Sequence, residues 1–237
     1  MRVAVLIPAL NEAEALPALL AELLALPDRP HRVIVADNGS TDRTALLARE
    51  SGAEVVLEEE RGYGAACLAG LRHLAASGAP DVVAFMDADG SDDPTMLPSL
   101  LEPIRTGWAQ FVVGVRIAPP EGESNAVPLH ARWGNGLVRG LARRLHGAEF
   151  RDLGPFRAIR YRALEALQMD DRSWGWTLQM QLRAHRMGLA TAEVPVPHRA
   201  RTGGASKVSG SVVGSVRAGA KMLYTLASER GWTPEAG

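Results

Sequence analysis

Asp87 and Asp89 flank a single alanine immediately behind the apolar run Val82-Val83-Ala84-Phe85-Met86. At the end of a strand, two carboxylates at this spacing can face one pocket. Hard divalent cations such as Mg2+ and Mn2+ take oxygen ligands and keep several waters. An ion held there can bridge to a diphosphate and neutralise charge on a leaving group. An isolated Asp-x-Asp is more often a solvated acidic turn, and Asp92 and Asp93 extend this one. The run in front of it is too apolar for a surface strand, which favours a site.

Two further polar clusters follow apolar runs in the same way. Val33-Ile34-Val35-Ala36 leads into Asp37-Asn38-Gly39-Ser40-Thr41-Asp42. A carboxylate at Asp37 can accept hydrogen bonds from a nucleobase N–H or a ribose hydroxyl. Gly39 and Asp42 suit a turn and a helix N-cap, so Asp37 reads as functional and Asp42 as structural. Arg61-Gly62-Tyr63-Gly64 precedes a helical stretch. Glycine allows close backbone approach and a helix start attracts phosphate, but a loop that simply needs glycine reads equally well.

The elements that must position these clusters alternate. Strands are expected over residues 2–7, 33–36, 54–57, 82–86 and 109–113. Helices are expected over 12–26 (capped by Asn11, with Pro17 as an irregularity), from Asp42 to 50, over 62–76 and from Pro94 onward. Strand, short loop and helix in alternation predict a mostly parallel sheet with helices on both faces. Ligands bind such sheets beyond the strands' C-terminal ends, where all three clusters fall. Beyond residue 115 the spacing predicts a polar loop over 119–128, which has the length of a lid or binding loop. Helices over 129–145 and 176–187 and strands over 156–159 and 191–196 follow. A basic Gly/Ser-rich segment over 199–211 precedes a last helix over 212–228.

Composition sets outer limits. The 237 residues allow one large α/β domain or a domain with a short appendage. A formal net charge of -1 gives no basic stripe for nucleic acid. Cys67 is the only cysteine, so neither an internal disulfide nor a cysteine zinc site is expected. The N-terminal residues read as a strand, not a signal peptide, and no run reaches the ~18–20 apolar residues of a membrane span. A cytoplasmic protein, peripheral to a membrane at most, is the expectation.

Val5-Leu6-Ile7-Pro8-Ala9-Leu10-Asn11-Glu12, Ala36 to Asp42, Arg61 to Gly64 and Met86-Asp87-Ala88-Asp89-Gly90 stand in order along the chain. Together they resemble the family 2 glycosyltransferases of the GT-A fold, the nucleotide-diphospho-sugar transferase fold. Asp152-Leu153-Gly154-Pro155-Phe156-Arg157-Ala158-Ile159 and Arg201-Thr202-Gly203-Gly204-Ala205-Ser206-Lys207 resemble the subgroup of dolichyl- and polyprenyl-phosphate mannose and glucose synthases. The resemblance spans residues 2–210 and implies an α/β catalytic domain over 1–210, followed by a C-terminal helix and tail over 211–237. It implies that Pro8, Ala9, Glu12 and Gly64 border the nucleotide-sugar and that Asp37 contacts base or ribose. Asp87 and Ala88 would hold the ribose-diphosphate region. Asp87 and Asp89 would bind Mg2+ or Mn2+, with Asp89 the principal ligand. Arg116 would face the diphosphate or an acceptor phosphate, and Arg201 and Lys207 would belong to a loop closing over phosphates. Asp89, Arg116 and Lys207 are thus the expected catalytic residues.

The implied reaction is metal-dependent, inverting transfer of a hexose from a UDP- or GDP-sugar to polyprenyl phosphate. A soluble acceptor is the alternative. A nucleotidyltransferase would carry a Gly-rich basic loop where this chain has Pro8 to Glu12. A non-catalytic nucleotide-sugar binder would not turn its ligand over. Two positions depart from the subgroup. Ser91 stands where the mannose synthases commonly place a Gln metal ligand. Gln179 stands where many relatives carry Glu and cannot act as a base, which points to a phosphate acceptor or to another carboxylate, Asp152 or Asp171. His198 reads as a packing or surface residue rather than a partner of the metal. One of Trp174 and Trp176 is expected in the core. The last helix carries apolar residues beside Arg217 and Lys221. It is expected to pack on the domain or on a second subunit, with a membrane surface as the alternative.

Overall fold

Seven strands form one sheet in the order β3-β2-β1-β4-β6-β5-β7. In the computed structural model the described residues are 1–117, 129–202 and 212–234, and for 129–135 and 212–216 only the backbone is described. The strands are β1 (Val3–Ala9), β2 (Arg32–Asp37), β3 (Glu54–Leu57), β4 (Val82–Phe85), β5 (Phe111–Ile117), β6 (Arg157–Arg160) and β7 (Thr191–Pro197). The helices are α1 (Leu16–Leu24), α2 (Thr44–Glu50), α3 (Tyr63–Ser77), α4 (Leu97–Arg105), α5 (Leu129–His146), α6 (Tyr161–Ala166), α7 (Trp176–Arg186) and α8 (Val212–Ser228). All pairings are parallel except those of β6, which runs antiparallel to both β4 and β5.

Alternate residues of each central strand enter opposite layers, as the two-residue repeat of a strand requires. Val3, Val5, Ile7, Val33, Val35 and Val82 pack under α1 and α4. Ala4, Leu6, Ile34, Ala36, Val83 and Phe85 pack under α3, α6 and α7. Both faces are covered, so these strands read as unbroken apolar runs rather than alternating ones. Trp176 lies in the second layer, edge-on to Phe85. A smaller third cluster joins α5, α7 and α8 through Val138, Ala142, Leu178, Leu182 and Leu226.

Several expectations are corrected. The first helix begins at Leu16 rather than residue 12. Asn11 does not cap it: its backbone is left-handed (φ 52), and its Oδ1 accepts from the Thr41 N–H at 2.8 Å. Pro17 is no irregularity, because it occupies the first turn, where a missing N–H is harmless. β5 continues to Ile117 because β7 pairs along its whole length. The short α6 was not expected at all. The loop over 119–128 and Lys207 lie outside the described residues.

Candidate active site

The C-terminal ends of β1, β2 and β4 lie side by side, with Ala9 in register with Asp37. Pro8 and Ala9 end β1 in the buried layer. The Asn38 N–H bonds the Ala9 carbonyl at 2.8 Å, which stitches the ends of β1 and β2 together. Asn38 also fixes the loop before α3. Its Nδ2 donates to the carbonyls of Glu58 (3.2 Å) and Glu60 (2.6 Å), and its Oδ1 accepts from the Gly62 N–H at 2.7 Å. Asp37 is buried. Its Oδ2 accepts from the Ser40 N–H at 3.2 Å, whereas its Oδ1 has no partner.

The chain leaves β4 and turns through Asp87-Ala88-Asp89-Gly90-Ser91-Asp92. Asp89 is buried, and its Oδ1 accepts from the Ser91 N–H at 2.9 Å. Asp92 Oδ2 accepts from the Asp87 N–H at 3.0 Å. Burial, and then the neighbouring Asp92 and Asp89 carboxylates, push the Asp87 pKa well up. Burial also pushes Asp92 up to about 7, with Asp89 adding to the rise. Carboxylates this close resist ionising together, and a bound cation relieves that repulsion.

A second strand of backbone covers this turn. His198 bridges to Asp92. The Arg199 N–H bonds the Ser91 carbonyl at 2.9 Å, and the Thr202 N–H bonds the Asp89 carbonyl at 3.1 Å. A side chain at Gly90 (φ 76) would meet Thr202 Oγ1 at 2.5 Å, so glycine is required where the two segments touch. The cover places Arg201 over the carboxylates, with Nη2 2.6 Å from Asp89 Oδ2 and Nη1 3.5 Å from Glu12 Oε1. It also buries His198 Nδ1 without a partner. Burial, followed by the Arg116 charge, holds the His198 pKa below the ordinary imidazole value.

Arg116 stands at the end of β5 and is clamped by Asp152. Nε and Nη2 donate to the carboxylate at 2.8 and 2.7 Å, and the backbone N–H adds a third bond at 3.0 Å. The clamp holds Asp152 below its ordinary pKa despite burial, so Asp152 is a counter-ion rather than a base. Arg116 in turn lowers the pKa of Asp87 and Asp92, which places its charge beside the turn.

Two sequence expectations meet a different geometry. Gly64 was expected to border the nucleotide-sugar, with a loop that simply needs glycine as the equal alternative; its N–H bonds the Ser173 carbonyl at 3.2 Å, and the next one, Ala65, bonds the Arg172 carbonyl at 2.9 Å. A Cβ on Gly64 would lie 1.9 Å from the Asp171 carbonyl oxygen. The glycine therefore serves close packing, and the start of α3 is capped from within. Gln179 and Asp171 are likewise structural. Gln179 Oε1 accepts from the Asp171 N–H at 2.9 Å and its Nε2 donates to Glu229 at 2.6 Å. Asp171 accepts from the Ser173 N–H and pairs with Lys221 at 2.7 Å. Neither residue replaces a missing base. Conversely, sequence reading set His198 aside. Only its pairing with Asp92, 106 residues earlier in the chain, brings it to the turn.

Among the described residues, no three His, Cys, Asp or Glu side chains converge on one point. The donors present suit a cation that keeps waters and is completed by ligand oxygens. The arrangement can neutralise and orient a phosphorylated ligand at the strand ends, with carboxylates below and arginines around it.

The family described as Glycosyl transferase family 2 matches residues 4–168. An uncharacterised glycosyltransferase of Mycobacterium tuberculosis is 42% identical over 214 residues, 90% of this chain and 93% of the relative. The undecaprenyl-phosphate mannosyltransferase of Micrococcus luteus is 36% identical over 228 residues, 90% of each chain. Among solved structures, glucosyl-3-phosphoglycerate synthase from Mycobacterium tuberculosis, in complex with Mn2+, UDP and phosphoglyceric acid, is similar with a TM-score of 0.77. It is 25% identical, and the likeness covers 99% of this chain and 80% of that one. The chain belongs to the family 2 glycosyltransferases and has their GT-A fold. It is a hexosyltransferase whose relatives include polyprenyl-phosphate sugar transferases.

Proposed function

We propose that the chain moves a hexose from a UDP- or GDP-sugar to polyprenyl phosphate, with inversion at the sugar carbon and dependence on Mg2+ or Mn2+. The observation that carries this reading is a pair of buried polar atoms without hydrogen-bond partners at the strand ends: Asp37 Oδ1 and His198 Nδ1. Each such atom costs roughly 1–3 kcal/mol when left unpaired, and a nucleotide-sugar with its cation would satisfy both. Asp37 receives base or ribose, between Pro8, Ala9 and Glu12 on one side and the Asn38 loop on the other. Asp89 and Asp87 would hold the cation, with His198 close enough to join them. A divalent ion there would supply charge neutralisation of the departing diphosphate.

Arg201 neutralises Asp89 in the absence of a cation and is placed to turn to the diphosphate when a cation takes over that task. Arg116, fixed by Asp152, presents a stationary positive charge to the acceptor phosphate; a further positive charge from Lys207 belongs to the same reading. The acceptor oxygen approaches the sugar carbon from the face opposite the nucleotide. A phosphate acceptor is already an anion and needs no general base, which agrees with the structural roles of Gln179, Asp152 and Asp171. The name and coverage of the Micrococcus luteus relative support the lipid acceptor. A soluble phosphorylated acceptor is the second reading, favoured by the phosphoglyceric acid bound in the structural neighbour.

Thermal shift with UDP-glucose and GDP-mannose, with and without Mn2+, tests the donor. Transfer of labelled sugar into the organic phase with polyprenyl phosphate tests the acceptor. Stabilisation by no sugar nucleotide sinks the whole reading. Donor hydrolysis without organic-phase label would move the acceptor to the soluble class.

A further inference from the structure

Two helices on one side of the molecule are one-sided in charge. α5 and α8 carry Arg132, Arg139, Arg143, Arg144, Arg217 and Lys221 between them and no Asp or Glu, in a chain whose net charge is -1. They pack on each other and over α7. Val138, Ala142 and Leu226 point inward, and His146 Nε2 meets the Leu226 carbonyl at 2.9 Å. Large apolar side chains stand exposed on both helices among the arginines. Leu137 is 59% exposed, Leu223 46% and Tyr224 64%. Lys221, held by Asp171 at 2.7 Å, lies 5.1 Å from the centre of the Tyr224 ring, and Arg144 and Arg217 are exposed one helical heptad from Leu137 and Tyr224 in sequence. Among the described residues, no helix is long and apolar enough to cross a membrane.

We propose that this outer face of α5 and α8 docks on an anionic lipid surface. Apolar side chains flanked by arginine and lysine are the composition of a helix lying in the headgroup layer, where the rings and aliphatic groups enter the acyl boundary and the cations meet lipid phosphates. A second copy of the chain fits less well. A two-fold contact would set this face against itself, and neither helix offers a carboxylate to answer the arginines. The inference rests on the polyprenyl-phosphate reading for its purpose, since docking brings the strand-end site to a lipid-borne acceptor. The strand-end site itself contributes no residue to the face.

The test is co-sedimentation of the full chain with vesicles of phosphatidylcholine alone and of phosphatidylcholine with phosphatidylglycerol. Binding is expected to the anionic vesicles, weakening as salt rises. The double variants Leu223→Ser/Tyr224→Ser and Arg144→Glu/Arg217→Glu should each lose at least about tenfold in partitioning. Their melting temperature and their thermal shift with donor nucleotide should be unchanged. Equal binding to both vesicle types, no binding at all, or variants that bind like the parent would overturn the proposal. So would a concentration-dependent dimer that the same variants dissociate. A chain that responds to donor yet ignores vesicles defeats the docking inference alone. Loss of every nucleotide response defeats the glycosyl-transfer reading instead.

Discussion

Two acidic networks in this molecule are built from the same residue types to opposite ends. At the strand ends, the Asp87, Asp89 and Asp92 carboxylates oppose one another's ionisation with Arg116, Arg157 and Arg201 to offset them, and Asp37 Oδ1 and His198 Nδ1 stand without hydrogen-bond partners. Between α7 and the C-terminal turn, Asp170, Asp171, Gln179 and Glu229 surround Arg183, and the donors and acceptors close on one another. Arg183 Nε and Nη2 donate to Glu229 at 2.8 and 2.9 Å, and Nη2 also reaches Asp170 at 2.8 Å. Its Nη1 bonds the carbonyls of Leu167 and Gln168, and its guanidinium lies 4.9 Å from the centre of the Trp232 ring. A saturated network holds the fold, whereas an unsaturated one is held open by the fold for a ligand.

The largest effect that would sharpen this contrast is at Asp89. Asp89→Ala should lower donor turnover by about 10³-fold, the scale of losing one electrostatic stabiliser of the transition state. Its melting temperature should change little, because relief of the repulsion from Asp87 and Asp92 offsets the lost Arg201 pair and Ser91 hydrogen bond. Unchanged turnover in a kinetic assay with Mn2+ would remove Asp89 from the chemistry.

The opposite pattern is expected at Glu229. Glu229→Ala strands the buried Arg183 charge and should cost about 3–5 kcal/mol in urea unfolding. Donor KM should hardly move below the melting range. A stability loss confined to a few tenths of a kcal/mol would break the assignment of this network to structure.

Next comes pH. Asp92 is raised from the ordinary aspartate value of 3.8 to about 7. A carboxyl with a raised folded-state pKa contributes stability that is complete below 3.8 and is lost as pH rises through about 7. Without metal or donor, the unfolding free energy from urea titrations should therefore decline between about pH 4 and pH 7, by a few kcal/mol at most. Asp92→Asn should flatten that decline. A variant with the parent's slope would show that the strand-end group is not strained by its own charge.

The smallest effect belongs to Asp37. Asp37→Asn keeps the shape and weakens acceptance from base or ribose, so donor Kd by calorimetry should rise about tenfold, the scale of a charged hydrogen bond. The rate at saturating donor should hold. A fall in rate with unchanged Kd would move Asp37 from binding to chemistry.

Much of the strand-end group was legible in the sequence. Asp37, Asp87 and Asp89 each follow an apolar run buried on both faces, and such a run announces a central strand and therefore a C-terminal edge. The other network was misread from sequence. Gln179 looked like a lost base because its partners, Asp170 and Asp171 on one side and Glu229 on the other, come from two other stretches of chain. Gly64 looked like a phosphate cradle because nothing near it in sequence reveals the 171–173 loop that fills the space. The start of α1 was misplaced for a related reason: Asn11 caps well in isolation, but here it bonds Thr41 across the strand ends.

The sequence by itself determined the layered α/β fold, the order of most elements and the carboxylates at the strand ends. Local periodicity and burial on two faces are written in neighbouring residues. The tertiary structure alone decided that β6 runs antiparallel between β4 and β5 and that Asp152 clamps Arg116. It also decided that His198 and Arg201 cover the acidic turn and that Gln179 belongs to a structural knot. Each of these joins residues far apart along the chain, and such pairings are set by how whole elements pack and leave no periodic trace in the segments that make them.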